Sequence, residues 1–551
     1  MRTTTAATAL LAATLAPLAL SAPTAEHHAQ RQHQQQQQYV KLHKPTGAPS
    51  IAHSKDFTSF SFEPAFWTEF FGEAETPNQL TLSLLSRLSE RGARPVIRPG
   101  GITMDSMIFD PAATKSAVRT TNAKGGVYRT TIGPSFYKAW DNFPEGTGFV
   151  STLNFGNDSY DIARDLAAAS HRYQRDKIRH FELGNEPTNY VSTRWQNKTD
   201  AYVAQWKDWT GRIDAELDNP KRSWWASSAT TDKTGLEVRP AALIPAGIDD
   251  QKQVGQYSIH SYAFATCDPK RDALATIPNI LNHTHLLEYA DVEIYPSAKA
   301  ALDEGNQWIV GEFNSVACSG KPNVTDTFAQ ALWTVDTDLI YAERNASAVY
   351  LHQGATLVFQ SSQQSNTAGD DGGPGFSAYS LLYPVDSSKR GKARVNPGFV
   401  GQLFVTEALG TERVASLPAP KGVDSDYFAA YAFYDRDEGK KIRRVAAINS
   451  KPYYGKTGGN KRDSSDNAVH LDLSSLMPAA LKGKKAWLKR MTAPAVNETD
   501  TARVTWAGQS FKQAVPEGKV DIERVPKDGK VEVRDSEAVL VFFYEDDVFR
   551  Q

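Results

Sequence analysis

The sequence predicts an α/β protein, a (β/α)8 TIM barrel followed by a C-terminal antiparallel β-sandwich. Three observations carry this. From Phe57 onward, apolar strand-like runs alternate with amphipathic stretches of helical period, the pattern of repeated βα units. Two of the runs close on glycine and then a carboxylate, at Phe181-Glu182-Leu183-Gly184-Asn185-Glu186-Pro187 and Trp308-Ile309-Val310-Gly311-Glu312-Phe313-Asn314. A strand ending this way presents an acid at the rim where parallel barrels keep their chemistry. Past Thr411 the texture changes to short alternating strands separated by Gly/Asn/Lys turns.

The elements follow in order. Residues 1–21 open with Met1-Arg2 and run apolar and small to Leu20, a secretory signal peptide too short to span a membrane. Residues 22–50 hold a His/Gln-rich tract, expected as a flexible leader because it has little to bury. The barrel is expected over 51–410, with strands at Phe57–Phe62, Arg94–Arg98, Gly148–Asn154, Ile178–Leu183, Trp224–Ser228, Tyr257–His260, Trp308–Val310 and Ala348–Leu351. Between the third and fourth strands, Ile162, Leu166 and Ala169 share one helical face. The sandwich is expected over 411–551, from runs such as Arg443-Arg444-Val445-Ala446-Ala447-Ile448 to the apolar strand Ala538–Tyr544.

With 551 residues the chain is too long for one core, and 40% apolar with 23% charged residues is globular composition. A formal net charge of −2 offers no field for nucleic acid or an anionic membrane. No later segment is long enough to cross a bilayer. The 11 Trp and 21 Tyr suit large cores and sugar clefts alike. Sequons stand at Asn157, Asn197, Asn282, Asn323, Asn345 and Asn497, fitting a secreted, glycosylated protein, extracellular or of the cell wall. Cys267 and Cys318 are the only cysteines. They form one disulfide or remain two thiols, and without histidine at ligand spacing they do not make a zinc site.

Two acids on strands far apart in sequence suggest a carboxylate pair working across one sugar bond. Glu186 would be the proton donor, needing a pKa raised by burial or a neighbouring carboxylate. Pro187 biases it away from the helical region, so it is expected to be extended and outward-facing. Asn185 beside it can donate its amide to a substrate hydroxyl. Glu312 would stay ionised to attack the anomeric carbon, which requires hydrogen bonds or a cation. Arg98 is the candidate cation and Tyr262 the candidate hydroxyl partner. Glu182, four residues before Glu186, shares its pleat parity and reads as a structural acid deeper in the barrel.

These strings resemble the retaining clan A glycoside hydrolases. Ser59-Phe60-Ser61-Phe62-Glu63, Arg98-Pro99-Gly100-Gly101-Ile102-Thr103-Met104-Asp105 and His260-Ser261-Tyr262 narrow the resemblance to glycoside hydrolase family 79, relatives of heparanase and mainly β-glucuronidases. The resemblance covers nearly the whole chain after the leader. It implies Glu186 as general acid/base, Glu312 as nucleophile, Glu63 as an acceptor for ring hydroxyls and Asn185 at the 2-hydroxyl. It also implies that Tyr262 holds the nucleophile and that His260 lies in the sugar site. Relatives often read the uronate carboxylate with Tyr-Gly-Gly after the nucleophile. Here that stretch is Ala317-Cys318-Ser319-Gly320 and lacks the tyrosine, so Ser319, Gly320 and Tyr379 are the candidates for that contact. Ile102 likewise replaces a polar residue. A Cys267–Cys318 disulfide would staple two neighbouring rim loops and preorganise the pocket.

The resulting expectation is a retaining β-glucuronidase with carboxyl groups about 5–5.5 Å apart. The partner is a carbohydrate substrate, and no metal or organic cofactor is implied. The alternatives are the same machinery on a 4-O-methylglucuronide or neutral β-glycoside, and a non-catalytic carbohydrate-binding protein. The sequence sets no oligomeric state.

Overall fold

Eight parallel strands close into a barrel in strict chain order: β1 (Thr58–Phe62), β2 (Val96–Arg98), β3 (Gly148–Leu153), β4 (Ile178–Leu183), β5 (Trp224–Ala229), β6 (Val254–Ser261), β7 (Gln307–Phe313) and β8 (Val349–Gln353). The computed structural model describes residues 38–45, 47–122, 126–232, 235–355, 375–455, 467–479 and 485–548. The expected signal peptide at 1–21 lies outside them.

The strands are buried on both faces, and their side chains alternate as the pleat requires. Val96, Val150, Trp225, Ile309, Ala348 and Tyr350 form the core inside the barrel. Their neighbours Ile97, Phe149, Trp224, Trp308 and Val349 belong to the outer core, where the helices pack. Helix Tyr160–Gln174 buries Ala163, Leu166, Ala167 and Ser170, the i, i+3, i+4, i+7 stripe of an amphipathic helix. Continuing the inward columns two residues on puts Arg98 above Val96 and His352 above Tyr350. The barrel is therefore apolar below and polar at its C-terminal rim.

Helix Phe399–Leu409 is almost wholly buried and leads into a seven-stranded antiparallel sheet that begins at Arg413–Ser416. In the sheet's central strand, Ala538, Leu540 and Phe542 join the barrel-side core, and Val539, Val541 and Phe543 join a second core. That second face meets a three-stranded sheet of Val40–Lys41, Ala468–Asp472 and Lys530–Arg534. Of the flexible leader expected over 22–50, residues 22–37 lie outside the described residues, and Val40 and Lys41 pair in parallel with Leu471 and Asp472. A two-residue strand is too short to show a period in sequence. The buried carboxylate of Glu407 pins barrel to sheet, accepting from Arg91 Nε at 2.8 Å, Lys489 Nζ at 2.7 Å and Trp506 Nε1 at 2.8 Å.

Among the described residues no helix is long and apolar enough to cross a membrane. Of the sequon asparagines, Asn157, Asn197, Asn323 and Asn497 are exposed. Asn282 caps a helix by accepting from His285 N, and Asn345 accepts from Ile51 N.

Candidate active site

The β4 strand ends at Leu183, and Gly184 turns the chain with φ +82°, where a Cβ would lie 2.8 Å from the Phe155 Cβ. Glu186 is left-handed, φ 47° and ψ 62°, which corrects the extended conformation expected before proline. Pro187 removes the right-handed helical region, and the surrounding bonds then select the rarer alternative, at a cost of about 1–3 kcal/mol. Glu186 N donates to Ser228 O at 3.0 Å. Asn185 N donates to Asp105 Oδ2 at 3.1 Å, as does the Tyr190 hydroxyl at 2.6 Å. Phe155 N and Gly156 N donate to Asp105 Oδ1 at 3.1 and 3.0 Å. Burial pushes the Asp105 carboxyl up to about 6 against the pull of these bonds. The Glu186 carboxylate itself meets His260 Nδ1 at 2.9 Å and accepts from Asn189 Nδ2 at 2.8 Å.

Glu312 lies inside β7, where the register shifts against both neighbouring strands and sets Glu312 opposite His260. Its Oε2 accepts from Arg98 Nη1 at 2.7 Å, and its Oε1 accepts from the Tyr262 hydroxyl at 2.9 Å. Arg98 is fully buried and also donates to Glu182, from Nε at 2.6 Å and from Nη2 at 2.9 Å. Its Nη2 reaches Asn185 Oδ1 at 2.9 Å. A guanidinium only donates, so the Asn185 oxygen faces Arg98 and its NH2 is left for the cavity. Glu182 accepts a third bond from Ser228 Oγ at 2.6 Å. One cation thus serves a structural carboxylate below and Glu312 above.

Burial alone would raise Glu312, yet its neighbours hold it down to about 2. These neighbours are His352, His260 and Arg98; burial pushes His352 itself down to about 4, whereas its carboxylate partners hold Arg98 charged. Glu63 goes the other way: burial drives it up to about 7, with Glu312 adding to the rise. Its Oε1 accepts from Ile102 N and its Oε2 from Thr103 N, both at 3.1 Å, and from the Thr103 hydroxyl at 2.5 Å. Glu63 was expected only to accept from ring hydroxyls; protonated near neutral pH, it can also donate. Gly101, with φ +126°, is required here, since a Cβ would meet Glu63 Oε1 at 2.5 Å.

A cleft of about 240 Å³ opens over these groups, lined by Glu63, Asn185, Glu186, Tyr262, Glu312, Ser319, His352 and Tyr379 among others. His260 does not line it. Its ring is 1% exposed and stands behind Glu186, a correction of its expected place in the sugar site. Gly320 is also displaced from the expected contact: its Cα packs where a Cβ would strike Thr325 Oγ1 and Tyr379 N. It shapes the loop, and the neighbouring Ser319 faces the cleft. Cys318, Ser319 and Gly320 are all left-handed, and the Cys267–Cys318 disulfide ties this loop to the one after β6. His352 lies one residue beyond the expected end of the last strand at Leu351, and the strand itself runs on to Gln353. The His352 ring bonds Ser61 Oγ at 3.1 Å and lies 3.8 Å from Glu63 and 3.7 Å from Glu312. The parity of Tyr350 and His352 was the available signal.

One oxygen each of Glu186 and Glu312 and one nitrogen of His260 lie within 4.8 Å of one another. Such a trio can cradle a cation, and Arg98 already pairs with Glu312 from the other side. What the arrangement offers is a carboxylate pair with oxygens within 4.8 Å of each other, close enough to flank one sugar bond. A larger cavity of about 460 Å³ lies at the opposite, N-terminal end of the strands, beside Lys55, Thr58, Glu407 and Arg444, the end that serves stability in such barrels.

Residues 430–540 match the glycosyl hydrolase family 79 C-terminal beta domain. The chain is 26% identical over 510 residues to a β-glucuronidase of Aspergillus niger, covering 88% of each chain. It is 25% identical over 536 residues to a β-glucuronidase of Neurospora crassa, covering 87% of this chain and 89% of the relative. In fold it resembles a 4-O-α-L-rhamnosyl-β-D-glucuronidase of Fusarium oxysporum, with a TM-score of 0.73 and 21% identity over 92% of this chain and 99% of that one. A family 51 α-L-arabinofuranosidase of Bifidobacterium longum shares the layout at a TM-score of 0.57 and 14% identity, over 92% of this chain and 99% of that one. A barrel carrying paired glutamates, joined to a β domain that matches the family 79 model and similar along nearly its whole length to these β-glucuronidases, makes the chain a glycoside hydrolase.

Proposed function

We propose that the chain hydrolyses terminal β-D-glucuronosides with retention of anomeric configuration. The observation that carries this reading is the close pair Glu186 and Glu312, set in opposite environments at one rim. Glu312, kept ionised by Arg98 and oriented by Tyr262, attacks the anomeric carbon. Glu186 protonates the departing oxygen, and the Asn185 amide donates to the 2-hydroxyl. Water then cleaves the glycosyl-enzyme, with Glu186 taking its proton.

Glucuronic acid as the sugar is supported by the two fungal relatives and by Ser319 and Tyr379, hydroxyl-bearing residues that both line the cleft with the nucleophile. Such donors suit a carboxylate without a full cation. Secretion is part of the same reading, supported by the disulfide and by the exposed sequons.

The test is a panel of aryl glycosides with product anomers followed by NMR. The β-glucuronide is expected to be turned over fastest, releasing the β-anomer first. Glu186→Ala is expected to lose about 10²–10⁴-fold in rate, with azide restoring turnover. Release of the α-anomer first, or faster turnover of the β-glucoside, would overturn the reading.

A further inference from the structure

The cleft has two unlike walls. Glu63, His352 and Tyr379 stand on the β8–β1 side, with Glu312. Across from them, beyond Glu186, the lining continues through Asn189, Thr230, Thr231, Asp232 and Arg271, from the loops after β4, β5 and β6. In a retaining hydrolase the acid stands against the glycosidic oxygen, so whatever leaves must lie on the acid's side.

That side is mostly polar, although Tyr262, Ala265 and Cys267 also line the cleft from the loop after β6. Every one of the five residues from Asn189 to Arg271 carries a hydroxyl, amide, carboxylate or guanidinium, and none carries a ring on which a flat aglycone would stack. Arg271 donates from Nη1 to Asp232 Oδ1 at 3.0 Å and from Nη2 to the Tyr262 carbonyl at 2.6 Å. The first bond cancels its charge locally. The second fixes it to the residue whose hydroxyl holds Glu312. A guanidinium has five N–H groups, and its side chain is 28% exposed, so it can still reach a ligand. Asn189 is fixed against Glu186 in the same way. The wall therefore offers donors and acceptors in fixed positions without net charge, which is what recognises vicinal hydroxyls.

We propose that this wall is the leaving-group subsite, that it selects an uncharged sugar residue over an aryl aglycone, and that Arg271 is its specificity-determining residue. The proposal rests on the retaining glucuronidase reading above. It is tested by comparing kcat/KM for a β-glucuronosyl disaccharide with a neutral second sugar and for 4-nitrophenyl β-glucuronide, in wild type, Arg271→Ala and Thr231→Val. The disaccharide-to-aryl ratio is expected to fall at least tenfold in Arg271→Ala, the size of a lost charge-assisted hydrogen bond, and severalfold in Thr231→Val. Aryl turnover reports that each variant is folded. A ratio unchanged within twofold in Arg271→Ala would overturn the proposal and leave the glucuronidase reading standing. A wild-type preference for a disaccharide with an anionic second sugar would also overturn it. Failure of wild type to turn over even the aryl glucuronide would sink the glucuronidase reading, and the proposal with it.

Discussion

Removing Arg98 and Glu312 singly and together measures how the buried cation sets the state of the nucleophile. Glu312 is 6% exposed and its carboxylate lies 2.7 Å from the Arg98 guanidinium. A carboxyl held near 2 rather than at its ordinary 4.5 favours its charged form by about 3 kcal/mol, at about 1.4 kcal/mol per pH unit. Because the folded pKa is depressed, this stabilisation is fully present above about pH 4.5 and is lost as pH falls towards 2. At pH 7, urea unfolding followed by tryptophan fluorescence is expected to show Glu312→Gln less stable than wild type. In an Arg98→Met background the same substitution is expected to stabilise, since it removes a buried charge left without its cation. The two substitutions are therefore expected to be non-additive, with one of them changing sign. If Arg98→Met does not fold, the pH series on Glu312→Gln carries the test alone: its deficit against wild type must shrink between pH 4.5 and 2. Additivity within about 0.5 kcal/mol, or a deficit independent of pH, would refute the assignment of Arg98 as the group that keeps Glu312 ionised.

Glu63 behaves oppositely, because its folded carboxyl is raised to about 7. Its contribution is present below about pH 4.5 and is lost as pH rises through 7, so unfolding free energies at pH 5 and pH 8 should differ less in Glu63→Gln than in wild type; equal slopes would count against burial as the cause. The disulfide closes a loop between residues 51 apart in sequence, worth about 4 kcal/mol by the chain-entropy estimate. Cys318→Ser is expected to lower Tm and to raise KM more than it lowers kcat, because the loop it frees carries Ser319; an unchanged KM would show that the loop holds its shape without the staple.

Several strands of the barrel are readable because they are short apolar runs with a large side chain on either face, as in Trp224-Trp225 and Trp308-Ile309. The pair Glu186 and Glu312 is readable because a carboxylate just beyond such a run has few structural uses. Strand ends were less legible. β6 and β7 each run past their expected limits, since Gly311 and Glu312 read as a break in an apolar run while the backbone ladder continues through a register shift. The same holds on β8, where polar residues end the apolar run before the strand ends and His352 lies past the expected limit.

The residues themselves settle which groups are present: two glutamates after apolar runs, an arginine ending the second strand, a tyrosine after the sixth and two cysteines on neighbouring loops. Local sequence also settles the inward parity that stacks Arg98 on Val96. Only the closed barrel decides what these groups do to one another. Glu312 and Glu63 are the same residue type, and they separate to about 2 and about 7 because His352, His260 and Arg98 favour the charge on one, while burial and the Glu312 charge disfavour it on the other. The left-handed turn of Glu186 and the placing of His260 behind it depend on Asp105, Ser228 and β6, which lie far away along the chain. Composition and period are local properties. A pKa and a strained φ are sums over neighbours that only tertiary packing brings together.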